Sequence, residues 1–204
     1  MNSVYKNTIE VYNKLGKKYL NASKKITPPN RLPFSKLFPK GAHILDVGCG
    51  GGRDAKFFIQ KGLRVTGVDS SPVLIKLAKK EASKGNFKCV DLLKMNFPAK
   101  TFDGIWAEAV LLHLKRKDVP NALKKLYKVL KNGGVLHVTV KRGTGEAYVK
   151  EKLSGWQERF YTYFTSKEME AMVKKQGFTI IHSDILADKH KRKGVSFVRV
   201  WAKK

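Results

Sequence analysis

Residues 43–61 read HILDVGCGGGRDAKFFIQK, and few folds accommodate that order of chemistry. A short aliphatic run (43–47) ends beside an acid, Asp46, and favours a strand. Four glycines then crowd residues 48–52, where backbone must turn sharply and let a ligand lie against it. Residues 54–61 resume as a helix. A strand passed through a tight turn into a helix is the opening unit of a parallel sheet, because parallel neighbours need a crossover connection.

The alternation continues downstream. Residues 64–69 predict a second strand, and 72–83 a helix with Ser71 as N-cap and Pro72 at its first position. Residues 87–90 and 102–107 predict two more strands. Helix 119–130 is closed by Asn132-Gly133-Gly134 and leads into a fifth strand, 134–141. A helix over 166–176 ends at Gly177. Strands 178–184 and 196–202 have only a polar, basic loop (187–194) between them, so they pair antiparallel at one edge. The pattern predicts an α/β domain with a mostly parallel sheet and helices on both faces. Upstream, residues 8–20 form an amphipathic helix with Ile9, Val11, Tyr12, Leu15, Tyr19 and Leu20 near one face. Pro28, Pro29, Pro33 and Pro39 break the chain after it.

Composition narrows the setting. A chain of 204 residues with 42% hydrophobic residues supports one well-cored domain. Cys49 and Cys89 have no framework spacing, which argues against a disulfide scaffold or a metal site and fits a reducing cytoplasm. No signal-like start or bilayer-length apolar run is present, so a soluble cytoplasmic protein is expected. The 42 Lys+Arg against 16 Asp+Glu leave a formal net charge of +26. That excess suits either a lysine-rich solvated surface or a polyanion-binding face, with the one compact cluster at residues 189–193 (KHKRK).

Three acids end successive strands: Asp46, Asp69 and Asp91. Together they line the carboxyl-end crevice where parallel sheets bind ligands. A glycine-rich loop of this type also suggests a dinucleotide. Here Arg53 stands where that pattern wants a small residue, and the Asp46 carboxylate suits a ligand ammonium and would repel a pyrophosphate. Both points favour S-adenosyl-L-methionine, whose methionine end is a zwitterion. Asp69 is placed to accept ribose hydroxyls, and Asp91 to accept from an adenine amino group.

The segments ILDVGCGGGRD, VTGVDSSPVLIKLAKK, VDLLKMNF, FDGIWAEAVLLHL and LYKVLKNGGVLHVTV, in this order, resemble the class I S-adenosylmethionine-dependent methyltransferases, over about residues 8–204 and most specifically 43–140. The resemblance implies a Rossmann-like, doubly wound sheet of seven mostly parallel strands, its last strand inserted antiparallel between its neighbours. It divides the chain into a helical lid and Pro-rich connector (1–40) and a cofactor-binding domain (41–204). It implies that Asp46, Gly48, Cys49 and Gly50 cradle the methionine part, Asp69 and Ser70 the ribose, and Asp91 and Leu92 the adenine, with Leu112 alongside. The backbone of Ala107 would face the methionine amino group, and Arg53 the cofactor carboxylate. Tyr12 and Tyr19 resemble the paired tyrosines of the family's N-terminal helix.

Methyl transfer asks the protein for orientation, water exclusion and sometimes a base. Glu108 and His113 are the base candidates, although His113 equally suits a role holding its loop by hydrogen bonds. Arg159, Tyr161 and Tyr163, with Trp156, are candidates for the acceptor wall. The chain lacks the Asn/Asp-Pro-Pro-aromatic motif of DNA-base amino methyltransferases after the fourth strand, where it reads Ala107-Glu108-Ala109-Val110. It also lacks the cysteine there that a covalent pyrimidine mechanism needs. A small-molecule acceptor is therefore expected. The alternatives are RNA or a ribonucleoprotein docked on the basic surface, and a cofactor-binding protein without catalysis.

Overall fold

A computed structural model of the chain describes residues 3–24, 28, 30–188 and 194–204. Residues 189–193, the compact basic cluster, lie outside the described residues, as does Pro29. The elements are α1 (Ser3–Lys24), α2 (Arg31–Ser35), β1 (His43–Val47), α3 (Arg53–Gln60), β2 (Arg64–Asp69), α4 (Pro72–Glu81) and β3 (Asn86–Cys89). After them come β4 (Phe102–Glu108), α5 (Val119–Val129), β5 (Leu130–Lys141), β6 (Glu146–Lys150), β7 (Glu158–Thr162), α6 (Ser166–Lys175), β8 (Thr179–Ala187) and β9 (Ser196–Lys203).

Seven strands form one sheet in the order β3-β2-β1-β4-β5-β9-β8, and β6 and β7 form a separate antiparallel hairpin. Strands β1 to β5 pair in parallel, while β9 runs antiparallel to both β5 and β8. This is the Rossmann-like arrangement that the resemblance implied, with the last strand inserted antiparallel between β5 and β8. The chain order reverses between β1 and β4, so the carboxyl ends of these strands open the crevice in which such sheets bind ligands.

Two apolar cores flank the sheet. On one side Leu123 and Leu126 of α5 and Met169 and Val173 of α6 pack on β4, β5 and β9. On the other, Phe34, Phe58 and Ala78 meet Trp106, whose ring stacks on His137 at 3.9 Å. Trp106 is fully buried, whereas Trp201 is half-buried at the sheet surface.

Helix α1 is longer than the 8–20 expected and bends at Gly16 (φ 44, ψ −117). The bend keeps two apolar stripes on the body of the protein, with Val4, Val11 and Leu20 all buried. Asn13 of α1 accepts a hydrogen bond from the Ser71 hydroxyl at 2.6 Å, and Thr8 accepts from the Phe160 N–H at 3.2 Å. The Pro-punctuated stretch contains the short helix α2, whose Phe34 enters the second core. The stretch that holds Arg159 and Tyr161 forms β7 of the hairpin. Among the described residues no helix is long and apolar enough to cross a membrane.

Candidate active site

Every element that ends at the carboxyl edge of the sheet contributes to one cavity of about 500 Å³, which α1 covers. Its two ends are built differently.

At the β1 end, the glycine turn is stapled to the neighbouring strand. The N–H groups of Gly48 and Cys49 both donate to the Val68 carbonyl, at 2.8 and 3.0 Å. Gly48 has φ +68, and a Cβ there would lie 2.5 Å from Val110 Cγ2, so only glycine lets the loop after β4 close over the turn. Gly52 opens α3 with φ +85, and a Cβ there would meet the Ala78 backbone of α4 at 3.0 Å.

Three strand-end carboxylates face this turn. Asp69 accepts from the Gly50 N–H at 2.9 Å and the Ser71 N–H at 2.8 Å, which fixes its orientation and leaves each oxygen a further lone pair. Burial nonetheless raises its pKa. Ser71, as expected, caps α4 by accepting from Leu74 N–H. Asp91 accepts from the Leu93 N–H at 2.9 Å and so holds the turn that presents Leu92 to the cavity. Asp46 is 2% exposed, and its Oδ2 is buried with no hydrogen-bond partner. Burial, with repulsion from Asp54 next, pushes its pKa well above the ordinary 3.8.

Arg53 lines the cavity, but its guanidinium is already engaged. It forks onto the Asp54 carboxylate (Nε 2.9 Å, Nη2 2.6 Å) and donates to the Ser23 carbonyl at 3.2 Å. Asp54 also receives Arg31 and the Trp106 indole N–H, both at 3.2 Å. Burial alone would raise Asp54, yet the two arginines hold it below the usual carboxylate range. Arg53 thus ties α1 to α3 while it lines the cavity, its charge shared with Asp54.

At the other end the wall is a network of side chains. Glu151, which follows β6, pairs with Lys141 at the end of β5 through Oε1. Through Oε2 it takes Arg159 Nη2 at 2.9 Å and the Tyr161 hydroxyl at 2.9 Å, both from β7. Burial would raise the Glu151 carboxyl, but Lys141, Tyr161 and Arg159 outweigh it and hold it low. Lys141 Nζ also sits 3.8 Å from the Tyr161 ring centroid.

Arg159 continues the chain by donating to the Tyr12 hydroxyl at 2.6 Å, and Tyr12 lies 2.9 Å from His113 Nε2. His113 Nδ1 is 2.8 Å from the Phe160 carbonyl, which only accepts, so Nδ1 carries the proton and Nε2 receives the Tyr12 O–H. Burial, followed by the nearby Arg159 charge, lowers the His113 pKa to about 3. The imidazole is neutral with both nitrogens occupied, which matches the loop-holding role and leaves no lone pair for a base. Glu108 Oε2 accepts from His137 Nε2 at 2.8 Å.

Tyr12, Tyr19, Asp46, Gly48, Cys49, Gly50, Arg53, Asp69, Ser70, Asp91, Leu92, Glu108, Leu112, His113, Arg159 and Tyr161 all line the cavity. Three expected residues lie elsewhere. Ala107 is buried within β4, one residue short of the cavity, where Glu108 and Ala109 form the wall. Tyr163 lies past the end of β7, away from the lining, and Trp156 is 66% exposed at the hairpin tip. Lys141, Glu151, Thr139, Asp188 and Phe197 line the cavity without having been anticipated. Lys141 left a trace, as a charge closing the apolar run VLHVTV; Glu151 left none.

A family model described as a methyltransferase domain matches residues 45–138. The chain is 30% identical over 158 residues to the ubiquinone biosynthesis O-methyltransferase of Coxiella burnetii, spanning 72% of this chain and 67% of that protein. In fold it is similar to an S-adenosylmethionine-dependent methyltransferase from Methanosarcina mazei (TM-score 0.75, 23% identity, 87% of this chain and 98% of that one). It is also similar to the 1,6-didemethyltoxoflavin-N1-methyltransferase of Burkholderia thailandensis, solved with 1,6-didemethyltoxoflavin and S-adenosylhomocysteine bound (TM-score 0.73, 21% identity, 100% and 91% covered).

Proposed function

The chain belongs to the class I, Rossmann-like S-adenosylmethionine-dependent methyltransferases, and on that premise we propose that it methylates a small-molecule acceptor held at the Arg159–Glu151 end of the cavity. The observation that carries this reading is the Asp46 carboxylate oxygen, buried and without a partner beside the glycine turn. A buried polar atom left bare is costly, and a ligand ammonium satisfies it. The rest of that end fits the same ligand. Asp69 keeps lone pairs for ribose hydroxyls, and Asp91 stands beside the apolar Val90, Leu92 and Leu112 for an adenine. When bound, S-adenosylmethionine supplies the activated methyl group; the chain supplies position and dryness.

The residues 1–40 act in this reading as a cover, since α1 contributes Tyr5, Thr8, Ile9, Tyr12 and Tyr19 to the wall. Tyr12 joins the cover to the hairpin through Arg159 and to the loop after β4 through His113. His113 is a positioning residue here, and Glu108 lines the wall beside Thr139. A volume near 500 Å³ falls in the range of small-ligand sites, roughly 300–1,000 Å³, and suits a cofactor with a compact acceptor. The names of the relatives support the same class, since they include one O-methyltransferase and one N-methyltransferase acting on 1,6-didemethyltoxoflavin.

The test is methyl transfer from radiolabelled S-adenosylmethionine to a fractionated cell extract. Label is expected in the small-molecule fraction. Incorporation into total RNA alone would contradict the reading.

A further inference from the structure

Glu108 stands where the two ends of the cavity meet. It closes β4, which lies in the sheet between β1, with Asp46, and β5, and it is in register with Thr139. Its side chain is 18% exposed and lines the cavity. Among the described residues its carboxylate has one hydrogen-bond partner, the His137 imidazole, which takes Oε2 at 2.8 Å and leaves Oε1 to the cavity. Arg31 and Arg53 both feel the Glu108 charge, but each is bonded to Asp54.

His137 is fully buried, and Trp106 stacks on it at 3.9 Å and 16°, which fixes the plane of the ring. Its Nδ1 is buried with no partner. A hydrogen there would leave a buried N–H bare, so the hydrogen sits on Nε2 and points at Glu108. The Thr139 hydroxyl lies 3.0 Å from the same nitrogen. An N–H locked in place behind one carboxylate oxygen sets the direction in which the other oxygen faces. His113 offers no such arrangement, since both its nitrogens are occupied.

Resting on the methyltransferase reading of the cavity, we propose that Glu108 is the catalytic base, that His137 positions it, and that the acceptor atom is a hydroxyl oxygen or amine nitrogen carrying a proton. The acceptor lone pair forms the new bond to the methyl carbon, and the electron pair of the broken C–S bond leaves with sulfur. The acceptor's proton passes to Glu108 Oε1, which returns it to water once the product has left. A carboxylate acceptor has no proton to lose, so the product is an ether or an N-methyl amine and not an ester.

The test follows labelled methyl transfer to the small-molecule fraction of a cell extract, with the main product resolved by chromatography and its initial rate measured. Glu108→Gln is expected to lower that rate about 100-fold or more, the scale of a positioned base, while leaving S-adenosylhomocysteine affinity unchanged by calorimetry. His137→Gln, which keeps an N–H donor, should retain more activity than His137→Phe, which keeps only the stacked ring. In the unliganded protein, the His137 Nε2–H is expected as a slowly exchanging downfield proton by NMR. Glu108→Gln should move it upfield, and an unmoved His113 Nδ1–H in the same spectrum shows that the fold survives. The proposal is overturned if Glu108→Gln turns over at the wild-type rate, or if the His137 proton is indifferent to that change. Equal activity of the two His137 variants removes His137 from its role, and release of the label as methanol by mild alkali, the mark of a methyl ester, removes the acceptor class. No labelled product from the wild-type protein would instead remove the methyltransferase reading, and this proposal with it.

Discussion

The two ends of the cavity satisfy their polar groups in opposite ways. Around the glycine turn, the walls are backbone and strand-end acids, and Asp46 is left with a bare, buried oxygen. Around Glu151, side chains from α1, β5, β7 and the loop after β4 satisfy one another through Lys141, Arg159, Tyr161, Tyr12 and His113. The first end holds its shape through the sheet and waits for a ligand. The second holds its shape through its own ion pairs, and a ligand must join or displace them. Variants at the two ends should therefore fail differently: one in binding, the other in folding.

The largest effect is expected from Arg159→Met. It takes the guanidinium from the buried Glu151 carboxylate and strips Tyr12 of its donor. Removing one partner of a buried pair typically costs about 3–5 kcal/mol, and the loss here should approach that range in denaturant unfolding. A loss no larger than that of a surface substitution would show that the network is not what holds this end together.

Asp46→Asn should do the reverse. It removes an uncompensated buried carboxyl, so the unliganded protein should be no less stable. Affinity for S-adenosylhomocysteine should fall by one charge-assisted hydrogen bond, about 1.5–3 kcal/mol. The pH dependence sharpens the contrast. Because burial raises the Asp46 pKa in the folded state above 3.8, the folded protein binds a proton that the unfolded chain has released. Its contribution to stability is full below about pH 4 and is lost as pH rises through the folded value. Over that same window S-adenosylhomocysteine affinity should rise with pH, since the ammonium favours the ionised acid. Thermal unfolding and calorimetry across pH 4–8 check both slopes, and Asp46→Asn should flatten them.

The smallest effect is expected at His113. Its imidazole holds Tyr12 and the Phe160 carbonyl. His113→Asn, which offers a shorter donor and acceptor, should lower turnover modestly while leaving the shape of the pH–rate profile unchanged. A lost limb in that profile would restore His113 as a base. The neutral imidazole also gives a stability signature. With a folded pKa near 3 against an ordinary 6.5, it costs stability as pH falls from about 6.5 towards 3, where only the unfolded chain takes up the proton.

The same contrast explains what the amino-acid sequence reveals. The glycine-turn end is written in short contiguous stretches, because one strand, one turn and one helix start supply most of its atoms. Asp46, Asp69 and Asp91 stand at strand ends that the sequence pattern predicts, and the glycines of the turn follow the first of them directly. The Glu151 end is assembled across the chain, with Tyr12 and Arg159 bonded over 147 positions, and no local period encodes such a pair. The hairpin β6–β7, with Glu151 between its strands and Arg159 on the second, leaves no readable period in the sequence, since each strand has five residues. The pairing of Arg53 with its neighbour Asp54 is likewise absent from the motif's spacing, since it depends on how the turn into α3 places the two side chains.

The central claim is that the glycine-turn end holds S-adenosylmethionine, and competitive calorimetry on the wild-type protein tests it most directly. S-adenosylhomocysteine should bind one to one and release a proton in the range where Asp46 is still protonated, while NAD should neither bind nor displace it. Tight NAD binding, or S-adenosylhomocysteine binding that NAD abolishes at comparable concentration, would contradict the account.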